Sequence, residues 1–228
     1  MSLFHPANLI CSKCGAQTEV QRNASVNVDR RPDLRVAILD GSFQSKACGK
    51  CGTELRLPPH LTLLDLGRNQ WIMAEPASLL EQWREVEADA SSTYAETFGD
   101  KAPPSARELA KDLTPRLVFG WPALREKLIA HDLGLDDVTI ELLKIAIMRE
   151  VDKPPMADQT ELRLVGGDAG TLNFLWVVAE TEAPLAALPV PREIYDDVAG
   201  DLEAWAPLRA EFEGKLLVDL RRLTAGAG

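Results

Sequence analysis

CSKCGAQTEVQRNASVNVDRRPDLRVAILDGSFQSKACGKCG, residues 11–52, holds every cysteine of the 228-residue chain. It opens on Cys-Ser-Lys-Cys-Gly (11–15) and closes on Cys-Gly-Lys-Cys-Gly (48–52). Each pair is spaced C-x-x-C, with Lys13 or Lys50 before its second cysteine and Gly15 or Gly52 after it. A C-x-x-C turn aims two thiolates at one point, and two such turns brought together by strands make a closed tetrahedral site suited to Zn²⁺. The predicted ligands are Cys11, Cys14, Cys48 and Cys51, around one structural zinc. Glycine fits each knuckle because it tolerates positive φ and lets a backbone N–H approach the sulfur. Four thiolates on one Zn²⁺ carry about −2, which Lys13 and Lys50 partly offset. Such a site keeps no position for water, which makes it structural rather than catalytic. Two disulfides are the competing reading. Met1 to Ile10 lacks the basic start and apolar run of a secretory signal. A cytoplasmic, reducing setting is therefore expected, and it favours metal. A thioredoxin-like redox role needs a single C-x-x-C at a helix start, and the duplication argues against it.

With 46% apolar and 26% charged residues, the chain has the makings of a packed core, in one large or two modest domains. No segment reaches the roughly 18 uninterrupted apolar residues of a membrane span. The net charge of −10 is unevenly spread. Residues 1–75 hold nine Lys/Arg and seven Asp/Glu, a net of +2, and the rest hold 16 and 28, a net of −12. Nucleic-acid binding needs a concentrated basic face. Here the basic residues are scattered, with Arg22, Arg30, Arg31 and Arg35 as the one strip a fold could gather.

The 33 residues between the knuckles exceed the roughly 15–20 of a compact ribbon, so they should be structured. Val20, Ala24, Val26 and Val28 alternate as in a half-buried strand. Pro32 then opens a helix through Leu39, stopped by Asp40-Gly41. Leu55 and Leu57 read as a short strand, and 61–66 with 70–74 as a hairpin turned at Gly67-Arg68-Asn69. From Leu79 the period becomes helical through Trp83, Val86, Ala90 and Tyr94, with Ser78 and Glu81 as a capping box. Gly99 to Pro104 reads as a linker, and Ser105 with Glu108 as a second capping box. A strand at 117–119, a helix opened by Pro122 and a helix capped by Asp136 follow. The last of these is apolar nearly all round, which places it centrally, with Glu141 and Lys144 pairing on its outer side. Two strands, 161–165 and 171–178, flank a glycine-rich turn. After them come a loop at 183–191, a helix broken near Gly200 and Pro207, and a final strand at 216–220.

Other candidate sites are weak. His5, His60 and His131 read as surface or capping residues, the last suited to a helix C-terminus. No Gly-x-Ser-x-Gly elbow is present, and the 166–170 loop lacks a Gly-Lys-Ser/Thr sequence. Asp136-Asp137 are explained by helix capping, and Asp196-Asp197 point about 100° apart on a helix. No catalytic residue is assigned. Trp83, Tyr94 and Phe98 follow a core stripe, and Trp71 reads as core or as an exposed partner anchor.

The two C-x-x-C-G knuckles, SVNVDRRPDLRVAILDGSFQ at 25–44 and LTLLDLGRNQWIMAEP at 61–76 resemble the CpXC domain of bacteria and archaea. RLVFGWPALREKLIAHDLGLDDVTIELLK at 116–144 is similar to regions that follow that domain. Ser12 and Gly49 stand where the family has its namesake proline. The resemblance implies a four-cysteine domain and supplies no catalytic residues.

The expected architecture is α+β. A zinc-ribbon-like β domain with an inserted helix (1–75) leads through a helix and linker (76–104) to an acidic mixed α/β domain (105–228). The expected function is a non-enzymatic structural-zinc protein that docks an unidentified protein partner. A nucleic-acid-associated ribbon is the alternative, and an enzyme with its site in the second domain a third.

Overall fold

A computed structural model describes residues 4–151 and 160–225. The first knuckle is the turn of a hairpin between β1 (Phe4–Ile10) and β2 (Gln17–Asn23), closed by the Ile10–Gln17 pair. The short β3 (Ser25–Asn27) buries Val26. Pro32 opens α1 (Pro32–Asp40) with its preset φ, and Gly41 ends it at φ +86°. The second knuckle turns a shorter hairpin, β4 (Ser45–Ala47) with β5 (Glu54–Arg56). The next expected hairpin is β6 (Leu61–Asp65) with β7 (Gln70–Glu75), joined by a 3-10 turn at Leu66–Arg68.

A 3-10 turn, Ala77–Gln82, leads into α2 (Trp83–Phe98), then α3 (Pro104–Ala110). Neither expected capping box forms. Ser78 lies inside the 3-10 turn and Ser105 inside α3, while Pro76 and Pro103 occupy the cap positions. The prolines fix the backbone at these entries and so take the place of a side-chain cap. β8 (Thr114–Phe119) then pairs in parallel with β7, giving a four-stranded sheet of order β3-β6-β7-β8. This sheet takes strands from both sides of residue 75. Its two faces follow from strand alternation. Ile72 and Ala74 meet Leu34 and Ile38 of α1 and Leu124 and Leu128 of α4 (Trp121–Asp132). On the other face Leu117 and Phe119 meet Trp83 and Ala90 of α2. Trp71 is buried on that same face, edge-on to Tyr94 at 5.2 Å, so it is core and offers no exposed anchor.

Asp136 caps α5 (Asp137–Glu150), accepting the Thr139 N–H at 2.7 Å. α5 packs against an antiparallel sheet of β9 (Thr160–Gly167), β10 (Thr171–Val178) and β11 (Pro184–Pro191), with β10 central. α6 (Arg192–Gly200) and α7 (Leu202–Ala210) complete this layer, around Leu142, Leu164, Phe174, Trp176 and Tyr195. Three expectations change here. Residues 184–191 are a strand, not a loop: Pro184, Pro189 and Pro191 hide the alternation, and an edge strand tolerates them. Residues 216–219 join no ladder, because beyond the Leu216 O bond to the Leu117 N–H, the Leu216 and Leu217 N–H groups and the Leu217 and Val218 carbonyls bond to side chains. A 3-10 turn follows at Leu220–Leu223. Glu141 and Lys144 lie fully buried inside the core rather than on an outer face.

The result is a mixed α+β protein of seven α-helices and four sheets among the described residues. No described helix is long and apolar enough to cross a membrane.

Candidate metal centre

The two knuckles fold alike because their sequences are alike. In the first, the Cys11 N–H donates to Ala16 O at 2.9 Å and the Gly15 N–H to Cys11 O at 2.8 Å. In the second, the Cys48 N–H donates to Thr53 O and the Gly52 N–H to Cys48 O, both at 2.8 Å. Gly15 and Gly52 both sit at φ +70°. A Cβ at either position would meet nothing within 4 Å, so the left-handed backbone, not space, demands glycine.

The hairpins bring all four sulfurs within 4.8 Å of one another. Across the knuckles, Cys11 and Cys51 lie 3.5 Å apart and Cys14 and Cys48 lie 3.6 Å apart. Sulfurs at about 2.3 Å from a tetrahedral ion stand about 3.8 Å apart, whereas a disulfide requires about 2.05 Å. The donor set thus fits a single metal ion, and all four cysteines are free thiols. Backbone amides of Lys50 and Cys51 aimed at Cys48 draw its thiol down to about 6. Thr53, through its hydroxyl and its amide, lowers Cys51. At Cys14 the Ala16 amide favours the thiolate, but burial and the three neighbouring sulfurs outweigh it and push the thiol up to about 12. A divalent cation at the centre would reverse that repulsion. Lys13 and Lys50 are exposed at the knuckle tips.

A family model described as CpXC protein matches residues 9–144, which takes in both knuckles, the four-stranded sheet and α4. The chain belongs to the CpXC family. No curated protein and no solved structure matches it. The family match therefore covers the four-cysteine cluster and ends within α5, short of the three-stranded sheet.

The remaining candidates resolve individually. Among the described residues no histidine joins the cysteine cluster. His5 is exposed on β1, His131 is exposed in the last turn of α4, and His60 Nδ1 lies 2.7 Å from Glu75. Asp136 caps α5, Asp137 pairs with Arg116 and Lys127, and Asp196 and Asp197 are exposed on α6. The basic strip is not gathered: Arg35 turns inward to Asp132 at 2.8 Å, and Arg31 pairs with Asp33.

Sequence reasoning missed a buried ionic network between the two sheets. Lys144 Nζ lies 2.7 Å from Glu126 and 2.8 Å from Glu141. Arg163 pairs with Glu126 and Asp219, each at 2.7 Å, and with Glu161. Arg221 adds contacts to Glu161 and Asp219. The second oxygens of Glu126 and Glu141 accept the N–H groups of Leu164 and Leu220. The one sequence signal was the Glu141/Lys144 pair in an otherwise apolar helix, since a charged pair there needs partners from other elements. The 216–225 segment is fastened by this network and by others. Leu216 and Leu217 donate to Glu87, Leu216 O accepts from Leu117, Val218 O accepts from Lys127, and Ala225 O accepts from Trp83.

Burial raises Glu126 and Asp219, but the cations facing them win and hold both carboxyls below the usual range. Asp137 is likewise held low by Lys127 and Arg116 against its burial. A depressed carboxylate stabilises the fold above its unfolded pKa of about 4 and loses that contribution as pH falls towards its folded value. Glu141, raised by burial, acts in the opposite sense. Urea unfolding followed from pH 7 to pH 3 should therefore show stability dropping below about pH 4, and Asp137→Asn should flatten that drop. A stability that is level across this range would contradict the assignment.

Proposed function

We propose that this CpXC protein is a structural-zinc protein that works by docking other proteins. The observation carrying the reading is the closed set of four sulfurs, which leaves a bound ion no open position for water or substrate. Two knuckle-bearing hairpins facing each other, with α1 inserted between them, support a zinc-ribbon reading, and an all-thiolate tetrahedral set suits zinc. Two further observations support a docking role. The buried carboxylates of the second half are engaged by lysines, arginines and backbone amides of the protein itself. Of the four arginines that could have formed a basic strip, Arg35 is turned inward and Arg31 is paired with Asp33, which leaves Arg22 and Arg30 as exposed charges.

Metal analysis of protein purified without added metal tests the centre, with one zinc per chain as the expected result. A folded, metal-free chain, or one holding a redox metal in its place, would overturn it. For partners, titration against mixed duplex and single-stranded nucleic acid near 0.15 M salt should show no submicromolar binding. Tight binding that weakens steeply with added salt would transfer the role to nucleic acid.

A further inference from the structure

We infer that the cleft between the β5–β6 segment and the 77–82 turn is a groove for a basic, extended segment of another protein. This names the partner chemistry for the docking role proposed above and rests on it. The cleft encloses about 470 Å³, with Pro58, Pro59, Pro76 and Trp121 among its walls. It adjoins a cavity of about 320 Å³, with which it shares Ala77, Ser78, Ala179 and Glu180. The prolines of the larger cavity contribute apolar surface without N–H donors.

Three carboxylates, Glu54, Glu180 and Glu182, line the larger cavity against one guanidinium, Arg56. Glu182 is taken up by Arg56 and Arg125. Glu54 and Glu180 are exposed, and among the described residues neither takes part in an ion pair. Arg56 stacks over Trp121 at 4.1 Å, and burial lowers its pKa to about 10. An extended basic peptide complements these walls. Its apolar side chains lie against Pro58, Pro59, Pro76 and Trp121, and its lysines or arginines face Glu54 and Glu180. The same two carboxylates repel an anionic occupant. Glu54 and Arg56 belong to the strand directly after the second knuckle, so the metal centre fixes this wall of the groove.

The test is a fluorescence-polarisation titration of the full, zinc-loaded chain with labelled peptides. One peptide alternates lysine or arginine with apolar residues, and the other replaces its basic residues by glutamate. The basic peptide should bind and the acidic one should not. Glu54→Lys with Glu180→Lys should weaken binding by at least about tenfold, with zinc content unchanged. Asp196→Lys with Asp197→Lys makes the same charge change on α6 and should stay within about twofold of the parent. Equal weakening by both pairs would mean general attraction to an acidic chain and would overturn the groove. Binding that survives in the Glu54/Glu180 variant, with crosslinks elsewhere on the chain, would overturn the groove while leaving docking in place. No binding of either peptide would also overturn it.

Discussion

Removing the metal should release residues 4–23 and 45–56 while the four-stranded sheet stays folded. Both knuckle hairpins form separate two-stranded sheets, which are marginal in water without further support. Their buried side chains are few: Cys11, Thr18, Val20 and Cys48, with Asn23 at the end of β2. Structural zinc contributes on the order of 10–16 kcal/mol of apparent binding free energy in finger peptides, far more than two such hairpins bury. Residues 61–75 are in a different position. β6 and β7 sit between β3 and β8, covered by α1 and α4 on one face and α2 on the other. Hydrogen exchange with and without a chelator separates these regions amide by amide. Protection should vanish in the hairpins and persist at Leu63 and Ile72. Cys48→Ser should reproduce the pattern without chelator, since a weaker oxygen ligand replaces one of four thiolates. Equal loss everywhere would show that the metal holds the whole molecule, and no loss would show that the hairpins stand alone.

Arg163→Met should destabilise the protein by about 3–5 kcal/mol, the usual penalty for leaving buried charges without their partner. Arg163 meets Glu126, Glu161 and Asp219, all of them buried, so its removal takes one cation from three carboxylates and leaves them only Lys144 or Arg221. Lys144→Met should act similarly through Glu126 and Glu141. The two substitutions share Glu126, so their effects should not add. Chemical denaturation of the single and double variants measures this, and a cost under about 1 kcal/mol for Arg163→Met would mean that water reaches the network.

The four-cysteine cluster was legible in the sequence because its geometry is local. Four residues per knuckle fix each turn, and only the pairing of two turns had to be inferred. α1 and the 61–75 hairpin were legible for the same reason, with Pro32, Gly41 and strand alternation marking them. What failed was set by distant residues. The pairing of β8 with β7 joins segments separated by two helices, and no local pattern encodes a parallel partner. β11 was hidden by prolines that only an edge position tolerates. Glu141 and Lys144 looked like a surface pair at a spacing of three. Their burial depends on Glu126, Lys127 and the Leu220 amide, none of them a neighbour in the chain.

The 216–225 segment has a consequence for how the chain reaches its native state. During synthesis, Leu117 and Phe119 emerge roughly a hundred residues ahead of the segment that packs beside them, which takes several seconds at about 5–20 residues per second. Over that interval Arg163 and Glu141 lack Asp219 and the Leu220 amide, so the space between the two sheets stays open to water. The α2 face of the four-stranded sheet and the core of the second sheet both lack a packing residue until this segment arrives. Nascent chains stalled short of residue 216 should therefore remain protease-sensitive around β8 and β9, while the knuckle hairpins, complete by residue 56, are free to take up metal early.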